Sequence, residues 1–124
     1  MNLFKEKYLE LVLQYALHQK QGFETEPVIQ SELTKCVRKA NAVRDKLDKL
    51  CEQAKNEGCL NEINDFMFHE DKYVRSLTGM YCLFTNPEVA EKVLQDIVDL
   101  PVPNHAAPLA FTTLEVWKKG LLKL

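Results

Sequence analysis

Apolar residues recur every three or four positions along most of this chain, which is the spacing that lets a helix bury one side. The first such stretch begins at Asn2, a predicted N-cap, and Gly22 is its predicted stop signal. Its apolar stripe consists of Phe4, Tyr8, Leu11, Val12, Tyr15 and Ala16. The following segment, residues 22–31, contains Gly22 and Pro27 and is predicted as a connector.

The second predicted helix runs from Glu32 to Asn56 and ends before Gly58. Its core seam consists of Cys36, Ala40, Val43, Leu47, Leu50 and Ala54. At about 100° per residue, a neighbouring side forms an acidic stripe made of Asn41, Asp45, Asp48 and Glu52. Lysines at 35, 39, 46 and 49 lie beside it. The stripe is either a solvated face with weak ion pairs or a docking surface for a basic partner.

Four shorter helices are predicted after Gly58. The first has an apolar face made of Leu60, Ile63, Phe66 and Met67, and the second one made of Val74, Leu77, Thr78, Tyr81 and Cys82. The third has Asn86 as N-cap and Pro87 at its first position. The last follows the 101–104 connector, is capped by Asn104, and buries Leu109, Ala110, Leu114, Trp117 and Leu121. Since no strand pattern is convincing, the predicted fold is all-α, with about six helices in three antiparallel pairs and a single domain over residues 1–124.

Composition and charge limit the cellular location and the kinds of partner that the sequence predicts. A chain of 124 residues can bury one continuous core without disulfides. Its four cysteines form no C-x-x-C pair, so we expect reduced thiols and a cytoplasmic protein. We expect no signal peptide and no membrane span, because charged residues interrupt the first apolar run. A net charge of −2 argues against nucleic acid as the partner.

The stretch from His69 to Phe84 holds the most distinctive local pattern. Asp71 is predicted to cap a helix, Val74 to enter the core, and Arg75 to reach back to the Asp71 carboxylate four residues earlier. Tyr73 lies off the apolar stripe, so we predict that it is exposed at a partner-binding surface.

This D-x-x-V-R pattern resembles the second helix of a HEAT repeat, in which the Asp and Arg link successive helical pairs. Further matching positions are Tyr15, Ala16, Asn41, Asn86, Pro87, Ala90, Val93 and Leu94, and an L-x-x-W-x-x-G ending at Leu114, Trp117 and Gly120. Together they resemble a short bacterial HEAT-like family, the domain of unknown function numbered two thousand and nineteen. Thr78 and Gly79 depart from it, because such families usually have two alanines there. The resemblance implies a small HEAT-like α-solenoid, no catalytic residues, and an immunity or accessory role beside a toxin.

An enzymatic reading has little support from the residues. His69 and Glu70 begin like the zinc motif H-E-x-x-H, but Tyr73 stands where the second histidine is required. There is no Gly-rich phosphate loop and no nucleophile elbow. HEAT-like DNA glycosylases use the same kind of scaffold, but they are longer and strongly basic. We therefore predict no catalytic residue, no metal and no cofactor.

The sequence thus favours a module that binds another protein, such as a toxin with a basic active-site cleft, and occludes it. The predicted partner-binding residues are Asn41, Arg44, Asp45, Asp48, Glu52 and Tyr73. The predicted structural residues are Asp71, Val74, Arg75, Trp117 and Gly120. A general HEAT-like adaptor and a nucleic-acid enzyme of the glycosylase type remain the alternatives.

Overall fold

The computed structural model describes residues 3–24, 29–101 and 104–124. The helices are α1 (Leu3–Phe23), α2 (Gln30–Asn56), a 3₁₀ helix (Leu60–Phe68), α3 (Lys72–Cys82), α4 (Pro87–Val98) and α5 (Ala107–Lys118). The part of the chain described contains no strand. The all-α prediction is therefore confirmed. The predictions that Asn2 caps the first helix and that Pro27 interrupts the helical pattern in the connector fall outside the described residues.

α1 and α2 approach each other closely at Gly22. This glycine lies inside α1 and is buried, so the prediction that it ends the helix is wrong. A Cβ placed there would lie 3.0 Å from Cys36 Cβ and 3.1 Å from Leu33 Cδ1. Gly22 therefore allows the two helices to touch. A glycine in the sequence is compatible with either a helix end or a close helix–helix contact, so the sequence alone does not distinguish the two roles.

Gly58 does end a helix as predicted. Its φ of 77° lies in the left-handed region that glycine adopts without strain. Gly58 N donates to the Lys55 carbonyl, and Cys59 N donates to the Ala54 carbonyl. These two bonds form a Schellman motif, which satisfies the last carbonyl groups of α2. Four of the six predicted core-seam residues of α2 are buried, namely Ala40, Val43, Leu47 and Ala54, whereas Cys36 and Leu50 are half-buried.

The segment after α2 is a 3₁₀ helix rather than an α-helix. Leu60 and Ile63 are buried, and Phe66 is packed against the core. Residues three apart eclipse in a 3₁₀ helix, so this spacing places all three side chains on one side. The sequence pattern predicted the buried face but not the tighter winding.

α3 is the central helix of the fold. It contacts α1, the 3₁₀ helix, α4 and α5, and nine of its eleven residues are buried. Tyr8 from α1 donates to or accepts from Thr78 Oγ1 at 2.8 Å, and its ring lies edge-on to Tyr81. Towards α4, a Cβ on Gly79 would lie 3.1 Å from Leu94 Cγ, so small residues permit this helix crossing as predicted.

The last two helices differ from the prediction mainly at their ends. Pro87 occupies the first turn of α4, although the Asn86 side chain makes no capping bond. Asn104 Oδ1 accepts from Ala106 N at 3.0 Å and from Ala107 N at 2.9 Å, as expected of a capping side chain. α5 ends at Lys118, so Leu121 lies beyond the helix and is exposed, contrary to the prediction. No helix in the described residues is long and apolar enough to cross a membrane.

Candidate functional site

The start of α3 is fixed by Asp71, as the sequence predicted. Its carboxylate accepts from Tyr73 N at 2.8 Å and from Val74 N at 3.3 Å, and Val74 is fully buried. Its other oxygen is paired with the Lys20 ammonium on α1. Burial alone would raise the pKa of Asp71, but Lys20 and the two backbone N–H groups outweigh it and lower that pKa. Asp71 therefore joins α3 to α1 as well as capping α3.

Arg75 does not bond to Asp71, so the predicted i,i+4 pair is absent. Its guanidinium Nη1 donates instead to the His69 carbonyl at 2.9 Å and to the Glu70 carbonyl at 2.8 Å. The reason is tertiary, because Lys20 already occupies the Asp71 carboxylate. Arg75 thus holds the turn before α3, a structural role with different partners from those predicted.

Tyr73 is not the exposed aromatic that the sequence predicted, since it is only 2 % exposed. α3 is covered by neighbours on several sides, so a residue off its main apolar stripe is buried as well. Burial and the neighbouring Glu24 carboxylate raise the pKa of the Tyr73 hydroxyl well above its usual value. Tyr73 is therefore unavailable to a partner.

The acidic stripe of α2 is only partly exposed. Asn41, Asp45 and Glu52 are exposed, whereas Asp48 is half-buried. Asp45 and Glu52 make no ion pair with any residue in the described ranges, and the lysines at 46 and 49 make none either. The expected network of ion pairs along this face is thus limited to Lys35 and Glu32, which are 3.5 Å apart.

Asp48 points towards α3 and accepts a hydrogen bond from the Tyr81 hydroxyl at 2.5 Å. Burial and the Asp48 carboxylate raise the pKa of Tyr81 well above its usual value, so Tyr81 stays a neutral donor. This bond ties α2 to the central helix. Asp48 therefore already has a structural contact within the chain, in addition to its predicted contact with a partner.

Three of the predicted partner-binding residues meet at one pocket. Arg44, Asp48 and Glu52 line it on the α2 side, and Phe84 and Leu122 close it on the other side. The pocket has a volume of about 250 Å³. Arg44 Nη2 lies 3.3 Å from the Met80 sulfur, which is a weak acceptor. This pocket, with Asn41, Asp45 and the α2 residues that line it, is called the α2 face below.

Trp117 and Gly120 lie where the L-x-x-W-x-x-G pattern predicted structural roles. Trp117 is half-buried; its Nε1 donates to Glu91 Oε1 at 2.8 Å, and its ring meets Phe84 edge-on at 5.7 Å. Gly120 has a φ of 73° and its N donates to the Trp117 carbonyl at 2.9 Å. Trp117 therefore joins α5 to α4 and to the end of α3, and Gly120 ends α5.

A larger groove lies between the 3₁₀ helix, α3 and α4, and the sequence reasoning missed it. It has a volume of about 730 Å³, with Met67, Phe68, Val89 and Val93 among its lining residues. Phe68 is 71 % exposed there. The available signal was the run Phe66, Met67, Phe68, because three consecutive apolar residues on one helix cannot all face the core.

Side chains that could bind a metal ion are not brought together in the part of the chain described. No group of three or more His, Cys, Asp or Glu side chains there is arranged to hold a metal ion. All four cysteines are free thiols. Burial raises the pKa of Cys82 to about 12 and also raises that of Cys51, so neither side chain is a ready thiolate nucleophile.

Comparisons with protein-family models, with curated proteins and with solved structures find no match to this chain. The function is therefore inferred from the side chains described above.

Proposed function

We propose that this chain is a cytoplasmic, non-catalytic protein-binding module of the bacterial immunity or accessory type, which docks a basic partner on the α2 face. The observation that carries the proposal is the state of its carboxylates. Asp45 and Glu52 are exposed and make no ion pair within the described residues, although lysines lie on the same helix. Their charge is therefore available to a cationic partner.

The scaffold belongs to the same proposal, namely a HEAT-like solenoid of three helical pairs. What supports it is that α1 packs on α2, the 3₁₀ helix on α3, and α4 on α5, while α3 also contacts α1 and α4. In such a stack the second helix of each pair faces the concave surface. α2 would then present Asn41, Asp45 and Glu52 on that surface.

The chemistry of the α2 face suits a lysine or arginine side chain of the partner. The 250 Å³ pocket combines apolar walls at Phe84 and Leu122 with carboxylates at Asp48 and Glu52. A long cationic side chain has an apolar stem and a charged head, so it matches both parts. Arg44 and Lys123 also line the pocket, and their charges would favour a partner that carries acceptors beside its cationic groups. A toxin whose active-site cleft is basic would be occluded by such a contact.

The test is a charge reversal that leaves Asp48 and its Tyr81 bond intact. Asp45→Lys combined with Glu52→Lys alters only exposed residues. The matched control is Glu6→Lys combined with Glu10→Lys on α1, which changes the net charge by the same amount at exposed positions. Binding to the protein encoded by the adjacent gene is measured by calorimetry at low and at moderate salt.

The α2 reversal should weaken binding at least about tenfold, which is about 1.4 kcal/mol, and flatten its salt dependence. The α1 reversal should change binding much less. If both double variants bind equally well, or if both lose the same affinity, the α2 face is not the docking surface. Failure of the unaltered chain to bind this protein at all would contradict the immunity-type role.

A further inference from the structure

The groove between the 3₁₀ helix, α3 and α4 shares no lining residue with the pocket of the α2 face. We propose that it is a second binding site, which takes a peptide segment of a partner protein carrying one large apolar side chain flanked by lysine or arginine. The volume, the exposed aromatic side chain and the charges of the rim each support one part of this description.

The volume and lining fit an apolar side chain. At about 730 Å³, the groove falls within the range of about 300 to 1,000 Å³ that is usual for binding sites. Met67 and Val93 are buried beneath it, and Val89 is half-buried at its side. Phe68 stands over them with 71 % of its surface exposed, which leaves an aromatic face without a covering group. A large apolar side chain would cover Phe68 and these neighbours together.

The charged residues at the rim of the groove determine which charges are favourable beside the apolar side chain of the peptide. The groove lining has two cations, Arg75 and Lys92, and three carboxylates, Glu70, Glu88 and Asp96, so one negative charge is in excess. Lys92 lies 3.7 Å from Asp96, and these two charges offset each other. Arg75 bonds to two neutral backbone carbonyls and keeps its charge, which offsets one of the two remaining carboxylates. Glu70 and Glu88, in contrast, make no ion pair within the described ranges and are exposed. The charge left for a ligand is therefore negative, and its complement is lysine or arginine.

The same charges argue against a second copy of this chain as the occupant. A symmetric dimer would bring the same patch of each copy together. The two patches would then carry the same excess of negative charge, so their net charges would repel each other. A partner of opposite charge avoids this conflict.

The experiment uses three synthetic peptides of equal length, titrated into the isotope-labelled chain and followed by amide chemical shifts. One has a central phenylalanine flanked by lysines, one a central phenylalanine flanked by glutamates, and one a central serine flanked by lysines. The first should shift the amide signals of Phe68, Val89 and Val93. The serine peptide should bind at least about tenfold more weakly, because it lacks the apolar burial. The glutamate peptide should bind at least about fivefold more weakly.

Substitutions distinguish binding in the groove from nonspecific binding of the peptide to other exposed apolar side chains. Phe68→Ser should weaken the lysine-flanked phenylalanine peptide about tenfold or more. Phe111→Ser is the matched control, because Phe111 is 55 % exposed on α5 and does not line the groove, and it should have no effect. Glu70→Gln combined with Glu88→Gln should remove the preference for lysine over glutamate. The Asp45→Lys and Glu52→Lys variant should bind this peptide as the unaltered chain does.

Several results would overturn the proposal. Absence of shifts at the groove with all three peptides would do so, as would equal losses from Phe68→Ser and Phe111→Ser. Shifts confined to the α2 face would show that the peptides bind through charge alone. Sedimentation measurements that find a dimer of the unaltered chain and a monomer of Phe68→Ser would assign the groove to self-association instead.

Discussion

The Asp71 carboxylate makes two separable contributions, and substitution can measure each. Asp71→Ala removes the acceptor for Tyr73 N and Val74 N and also the partner of Lys20. Asp71→Asn keeps a capping oxygen but loses the charge, because asparagine is about as good an N-cap as aspartate. Comparing the two variants therefore distinguishes the cap from the ion pair.

The expected losses of stability follow from the exposure of the two side chains and from the capping bonds. Loss of an N-cap costs about 0.5 to 2 kcal/mol. The Asp71 side chain is 8 % exposed but that of Lys20 is 49 % exposed, so the ion pair is screened. We expect it to contribute at most about 1 kcal/mol. Asp71→Asn should thus lower the free energy of unfolding by up to about 1 kcal/mol, and Asp71→Ala, which loses the cap as well, by about 0.5 to 3 kcal/mol.

The assay is urea unfolding followed by circular dichroism. A control is Asp65→Ala, whose side chain is 83 % exposed and pairs with Lys5 at 3.2 Å, and it should cost less than about 0.5 kcal/mol. Lys20→Met should lose no further stability when combined with Asp71→Asn, because both remove the same ion pair. Equal losses from the Asn and Ala variants would refute the capping role. Fully additive losses of Lys20→Met and Asp71→Asn would refute the ion pair.

The same pair predicts a pH dependence. The pKa of Asp71 is lower in the folded protein than its ordinary value. Its charge therefore stabilises the fold at every pH above the unfolded pKa of about 3.9, and this stabilisation is lost as the pH falls towards the folded pKa. The difference in unfolding free energy between the unaltered chain and Asp71→Asn should be constant near neutral pH and shrink below about pH 4. A difference that persists unchanged in acid would contradict this reasoning.

Two further substitutions test contacts that hold α3 in place. Arg75→Ala removes two charge-assisted bonds to carbonyl groups just before α3 and should lower the free energy of unfolding in urea by about 1 to 3 kcal/mol. Lys39→Ala, at an exposed position, should lower it by almost nothing, and equal effects of the two substitutions would contradict the structural role of Arg75. Tyr81→Phe deletes the donor to Asp48 and should lower the free energy of unfolding by about 1 to 2 kcal/mol, measured in the same way. An unchanged free energy of unfolding would show that this hydrogen bond makes no net contribution to stability.

Helix periodicity predicted the parts of the fold that depend on one element at a time. Most of the seam of α2 and the burial of Val74 follow directly from apolar spacing, and Gly58 stops α2 as expected. Gly22 shows the limit, because it serves a close approach between α1 and α2 and lies within a helix. Nothing local distinguishes these two uses of glycine.

The candidate site was harder to predict because its residues depend on neighbouring helices. Asp71 and Arg75 are spaced for an i,i+4 pair, but Lys20 from a distant part of the chain takes the carboxylate. Tyr73 lies off the apolar stripe and is nonetheless buried, since α3 has helices around it. Asp48 belongs to the acidic stripe by spacing, but it is half-buried and accepts a hydrogen bond from Tyr81 on α3. These outcomes require the packing arrangement, which periodicity does not provide.

Cross-saturation from an unlabelled partner to the deuterated, isotope-labelled chain tests the central claim most directly, since it identifies the residues in contact. With the protein encoded by the adjacent gene as partner, saturation should reach the amides of Asn41, Asp45 and Glu52 on the exposed side of α2. It should not reach buried positions such as Leu47 on the opposite side of the same helix. Saturation confined to other helices, with none on α2, would contradict docking through the α2 face.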